Sequence, residues 1–250
     1  MTDLAAALDD AVARNELEAW FQPQIDLATG AIVGAEALCR WQHPRLGWIE
    51  PAEFIPLAER SGAIHALGRF MAQAGCDAFR EWSAYRPIDV SVNVSPLQLD
   101  GSAFTDWLAK LLAPMKLRQN SYMVEVTETQ PISDVPAVVK RLDDLHGVGA
   151  RVSIDDFGAG QASLAQLRRL HGAELKVDRS LVIDESADNH AFLVDVVKAA
   201  HGSGVRVVAE GIETHSQLAR VRELGFDRAQ GYLLGRPMPR SELTRLLRAS

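Results

Sequence analysis

From residue 88 onward the chain repeats one pattern, a short β-rich run followed by an amphipathic helix. Strands are expected over 88–94, 122–126, 151–154, 174–177 and 205–209, with a short one near 229–232. Helices are expected over 99–112, 135–146, 162–170, 189–201, 216–224 and 240–248. The helical period is clearest at Val135, Val138, Val139, Leu142 and Leu145, which share one face, with Gly147 placed to end the helix. Such repeated units imply a dominant parallel sheet covered by helices. Ahead of them, a helical lead-in (4–14, with the lead-in ending near 15) precedes strand runs at 17–27 and 32–38, joined by the turn Ala28-Thr29-Gly30. So short a link predicts an antiparallel hairpin. A Pro- and Gly-marked segment, HPRLGWIEPAEFIPLAERSG, then leads into a helix over 65–82. Eight strands in 250 residues favour a (β/α)8 barrel over a doubly wound sheet. Without a linker or low-complexity run, residues 1–250 read as a single domain.

Composition narrows the function. A formal net charge of −7 and an isoelectric point near 5.5 argue against a nucleic-acid groove, and no basic cluster is interleaved with aromatics. Cys39 and Cys76 make neither a metal pattern nor a disulfide framework, so both are expected as buried thiols in a reducing compartment. No apolar run is long enough to cross a bilayer, and MTDLAAALDD is too acidic for a secretion signal, so the cytosol is the expected location.

In a βα barrel, reactive side chains gather at the C-terminal ends of the strands. Those ends carry Glu36, Asn93, Glu125 and Glu128, Asp155 with Asp156, Lys176 with Asp178, Glu210 and Glu213, and Gln230. The set is biased to carboxylates and amides, with a single lysine. Adjacent carboxylates repel and raise each other's pKa unless a cation lies between them, and an all-oxygen donor set suits Mg2+ or Mn2+. Two such ions about 4 Å apart make a water acidic and stabilise in-line displacement at phosphorus. Lys176 would offset charge on the attacking oxygen or form a salt bridge to Asp155 or Asp178. Gly158 and Gly160, after Asp-Asp-Phe, suit a tight or mobile loop over a ligand.

Glu36-Ala37-Leu38 with Arg40, then DDFGAG, KVDRS, AEGIET and QGY, resemble the EAL-domain family of cyclic di-GMP phosphodiesterases, in that family's order and spacing. The resemblance runs from FQPQIDLATG to GRPMP and implies a modified TIM barrel whose first strand is antiparallel. It implies hydrolysis of cyclic di-GMP to linear pGpG with two Mg2+ or Mn2+ ions. Glu36, Asn93, Glu125 and Asp155 would ligate one metal, Asp155 would be shared, and Asp156 would serve the second. Glu210 would be a second-site ligand or the general base, and Lys176 would contact the nucleophilic water. Gln22, Leu38, Arg40 and Gln230 would hold substrate, Glu128 would anchor the Asp-Asp-Phe-Gly loop, and Glu213 would support the mouth. It further implies a homodimer formed beside that loop, and a sensor or receiver domain where such a barrel is part of a longer parent protein. Ala159, Gln161 and Ala162 stand where the family usually has Thr, Tyr and Ser. That departure keeps open a second reading, a receptor that binds the nucleotide without cleaving it. A third reading is proton abstraction from another substrate with Lys176 as base.

Overall fold

The computed structural model describes residues 4–115, 117, 122–127, 135–158 and 171–249. Helix α1 (Leu4–Ala11) precedes a long antiparallel hairpin of β1 (Leu17–Asp26) and β2 (Ile32–His43), extended by the short β3 (Gly47–Ile49). Helices α2 (Pro51–Ser61) and α3 (Ile64–Trp82) follow, then β4 (Asp89–Asn93), α4 (Pro96–Leu99), α5 (Ser102–Leu112) and β5 (Tyr122–Thr127). The second half runs α6 (Val135–Gly147), β6 (Ala150–Phe157), β7 (Glu174–Val177), α7 (Arg179–Ile183), α8 (Ala187–His201) and β8 (Arg206–Ala209). It ends with α9 (His215–Glu223), β9 (Arg228–Ala229), β10 (Met238–Pro239) and α10 (Arg240–Ala249).

Strands β2, β4, β5, β6, β7, β8 and β9 pair in parallel, and β1 closes the ring by pairing antiparallel with both β2 and β9. This is a modified (β/α)8 TIM barrel with a reversed first strand, as the hairpin predicts. Alternation along the strands separates two interiors. Val90, Val92, Val124, Val126, Val152, Ile154, Leu175, Val177 and Val207 face outward and join the helices in one apolar core. The alternate positions, Glu36, Asn93, Glu125, Asp155 and Lys176 among them, face the barrel axis, where the helices cannot cover them with hydrocarbon.

The structure departs from the sequence reading in several places: β2 runs on to His43, and β3, α7 and β10 are elements the reading did not expect. The Pro- and Gly-marked segment contains the eleven-residue helix α2. Pro51 sits in its first turn, where a proline's missing N–H costs nothing, and Gly62 at φ 88 closes it through a bond to Ala58 O. The helix expected over 99–112 starts only at Ser102, because the chain turns extended at Gly101, and Leu99 instead ends the separate short helix α4. Strand β6 runs on through Asp155, Asp156 and Phe157 rather than stopping before them. The last barrel strand is only Arg228–Ala229. The helix expected over 162–170 lies outside the described residues.

Candidate active site

Four carboxylates and one amine meet at the C-terminal mouth of the barrel. Lys176 Nζ lies 3.1 Å from Glu36 Oε2, 3.2 Å from Glu125 Oε2, 3.0 Å from Asp155 Oδ1 and 2.8 Å from Glu210 Oε1. Its side chain is 1% exposed, so these are short contacts away from bulk water, where charge interactions are strong. Glu36 is braced from both sides: Asn93 Nδ2 donates to Oε1 at 2.9 Å and Gln230 Nε2 donates to Oε2 at 2.7 Å. Gln230 Nε2 also donates to Gln22 Oε1 at 3.0 Å, and Gln22 Nε2 donates to Gly235 O. These eight side chains therefore form one hydrogen-bonded and ion-paired network drawn from β1, β2, β4, β5, β6, β7 and the segments after β8 and β9.

Neighbouring residues on a regular strand point to opposite faces, so Asp155 and Asp156 should diverge. The β6–β7 register shifts between Ile154 and Phe157, and Asp156 takes φ 59, a left-handed conformation uncommon outside glycine. The bulge turns both carboxylates toward one mouth. Carboxylate oxygens of Glu36, Glu125 and Asp155 come within 4.8 Å of one another, as do those of Asp155, Asp156 and Glu210. Asp155 belongs to both triads, as a bridging ligand would. These donors are all oxygen, and Glu125 Oε1 is buried without a hydrogen-bond partner among the described residues. Hard divalent cations fit such a set.

The electrostatics reflect crowding. Burial pushes Asp155 up to about 6 and Glu210 up to about 8, and holds Asp156 above the usual carboxylate range. Burial, together with the Glu36 charge, lifts Glu125 well above its ordinary value. For Glu36 burial acts the same way, but the Lys176 ammonium and the bonds from Gln230 and Asn93 outweigh it and lower the pKa. Burial would favour a neutral Lys176; Asp155, Glu125, Glu210 and Glu36 together reverse this and hold it protonated.

Two cavities adjoin the network. One of about 280 Å3 is lined by Gln22, Glu36, Glu210, Glu213, Gln230 and Tyr232. The other, of about 410 Å3, is mostly apolar, with Leu38, Pro51, Ile55, Leu67 and Met71 beside Glu36 and Asn93. Leu38 lines both. Arg40, two residues further along β2, donates to Cys39 O and lies 5.8 Å from the Trp20 ring centroid. Glu213 is held on the rim by Arg179, whose two guanidinium nitrogens lie 2.5 and 2.8 Å from its two oxygens. Asp178 caps α7 by accepting from Ser180 N at 2.8 Å; it does not bind Lys176 in the way the sequence left open. Gly158 follows the bulge at φ 102, against Leu181. Glu128 and Gly160 lie outside the described residues.

Some features escaped the sequence reading. Below the mouth, Arg206 pairs with Glu174 and Asp89, and Arg228 with Asp89, a charged layer across the barrel floor. Strand alternation from Lys176 back to Glu174 was the available signal. Nothing local marked the apolar cavity, since its lining is gathered from β2, α2, α3 and the β4–α4 link. Cys39 and Cys76 are free and buried, and burial lifts both thiols to about 12.

A closed barrel with a reversed first strand and an oxygen-rich mouth defines the class of this protein. The family model for the EAL domain matches residues 5–237. The bifunctional diguanylate cyclase/cyclic di-GMP phosphodiesterase MucR of Pseudomonas aeruginosa is 35% identical over 240 residues, covering 94% of this chain and 35% of MucR. The cyclic di-GMP phosphodiesterase RocR of the same organism is 35% identical over 242 residues, covering 96% of this chain and 61% of RocR. A solved structure of the PaMucR phosphodiesterase in complex with c-di-GMP matches with a TM-score of 0.88 at 35% identity, covering 97% of this chain and 100% of that one. The chain belongs to the EAL-domain family. It spans about a third of the length of the first curated relatives it matches. No described helix is long and apolar enough to cross a membrane.

Proposed function

We propose that the chain hydrolyses cyclic di-GMP to linear pGpG at the barrel mouth, with two divalent cations, Mg2+ or Mn2+, as cofactors. The observation that carries this reading is the pair of carboxylate triads sharing Asp155 beside the two cavities. Glu36, Asn93, Glu125 and Asp155 would hold one cation, and Asp155, Asp156 and Glu210 the other. Asn93 already donates its Nδ2 to Glu36, so its Oδ1 is the atom free to ligate. When bound, the cations would acidify a water and draw negative charge from the phosphoryl oxygens.

The remaining steps belong to side chains. At 17% exposure, Glu210 is the least buried of the four carboxylates around Lys176, and it accepts the proton as the water oxygen bonds to phosphorus. The bond from phosphorus to the 3′-oxygen breaks as that oxygen takes a proton from solvent and leaves as a hydroxyl, and Glu210 then returns its proton to solvent. Lys176, held protonated, offsets the charge that accumulates on the phosphoryl oxygens. Gln230 Oε1, buried and unpartnered among the described residues, is an acceptor beside the polar cavity for a donor on the substrate. The apolar cavity takes one base, with Leu38 between it and the reacting phosphate, and Arg40 and Gln22 hold the dinucleotide. The relatives named for cyclic di-GMP hydrolysis support the choice of substrate.

Incubation of the purified protein with cyclic di-GMP and Mg2+ or Mn2+, followed by chromatography of the nucleotides, tests this directly. Appearance of pGpG that depends on metal and is lost in Glu125→Gln is the expected result. Binding of cyclic di-GMP with no product under either metal would replace the hydrolase with a receptor.

A further inference from the structure

Lys176 Nζ touches carboxylates contributed by β2, β5, β6 and the segment after β8, which are four of the five groups that form the two triads, Asp156 being the fifth. An ammonium has three protons, so four contacts of 2.8–3.2 Å cannot all be linear hydrogen bonds. The amine acts as a shared point charge, the way a metal ion does. Glu36, Glu125, Asp155, Asp156 and Glu210 carry five negative charges when ionised, and Lys176 leaves four, the charge of two divalent cations. The interior arginines do not share this duty, since Arg206 and Arg228 are engaged by Glu174 and Asp89 on the barrel floor.

We infer that Lys176 is a third cation of this site, one that holds the acidic mouth together by itself and limits how tightly divalent ions are bound. The inference rests on the proposed metal site. Like charges a few ångströms apart in a dry pocket repel strongly, so each divalent ion binds against the ammonium. Without the ammonium, the buried carboxylates would be uncompensated until ions arrive, and breaking a buried pair from one side is strongly destabilising. The lysine thereby keeps the barrel folded without metal and its metal exchangeable.

The test compares the parent chain with Lys176→Met and Lys176→Gln, without nucleotide. Mn2+ and Mg2+ affinities are measured by calorimetry, and thermal unfolding is followed in chelator and in excess Mn2+. Both variants are expected to bind Mn2+ about tenfold or more tightly than the parent. In chelator both should unfold at lower temperature, or be unfolded outright, and Mn2+ should restore the parent midpoint. Affinity equal to or below the parent's, a chelator midpoint matching the parent's, or a variant that stays unfolded even with Mn2+ would each overturn the inference. A parent that binds neither ion would instead overturn the metal site on which it rests.

Discussion

Gln230 donates from Nε2 to Glu36 Oε2 at 2.7 Å across 194 residues of sequence. The same nitrogen donates to Gln22, so one amide orients a carboxylate of β2 and ties the end of the barrel to its beginning. Gln230→Ala should leave Glu36 held only by Asn93 at Oε1 and by Lys176 at Oε2. Outer hydrogen bonds of this kind typically tune metal sites by about 10- to 100-fold. Steady-state kinetics should show kcat reduced by about tenfold with the melting temperature within a few degrees of the parent. Unchanged kcat would mean that Glu36 is oriented without Gln230.

Glu125 is fully buried, and its Oε1 has no partner among the described residues. Burial raises its pKa well above the carboxylate range, a sign that ionising it costs the fold something. Glu125→Gln should therefore abolish turnover and weaken Mn2+ binding, while in chelator the variant melts at or above the parent temperature. Thermal unfolding and metal titration on the same sample check both halves. A large drop in melting temperature would make Glu125 a packing residue.

The raised pKa values of Asp155, about 6, and Glu210, about 8, set a pH dependence. Both groups bind a proton more tightly folded than unfolded, so in the absence of metal their ionisation erodes stability as pH rises from about 4 to 8. Divalent ions compete with those protons and hold the ionised forms. The increase in melting temperature caused by Mn2+ should thus be small near pH 6 and grow through pH 8, measured by paired melts with and without the ion. A shift that does not change with pH would remove Asp155 and Glu210 from the binding event.

Gly158 sits at φ 102, where a Cβ would lie 2.2 Å from Leu181 Cδ1. Gly158→Ala meets both a disfavoured backbone and a clash, and should cost about 1–3 kcal/mol in denaturant unfolding. Because Asp156, two residues earlier, already holds φ 59, the displacement should also weaken Mn2+ binding. Pairing it with Leu181→Ala relieves the clash and leaves the backbone cost, so the double variant should recover only part of the loss in affinity.

The alternation of strands and helices was legible because each signal lies within a few neighbouring residues. Glu174–Val177 matched the expected strand residue for residue, and α6 its expected face. Where local signals conflict with packing, the reading failed. Three prolines and two glycines marked 43–62 as a break ahead of the next helix, yet Pro51 is harmless in a first turn, and α2 is held by burying Phe54 and Ala58. Asp155 and Asp156 were legible as residue types, but nothing in the letters reveals a bulge.

What the amino-acid order determined by itself is the number and sequence of barrel units, the reversed opening hairpin, and the kind of side chain at each strand end. Periodicity and turn chemistry are properties of near neighbours, and they survive without a tertiary fold. Only the closed barrel decided that Glu36, Glu125, Asp155 and Glu210 would share one buried ammonium, and that Asp156 would swing to the same mouth. Those distances join residues up to 174 positions apart, and they exist only once eight strands have closed a ring and excluded water from it.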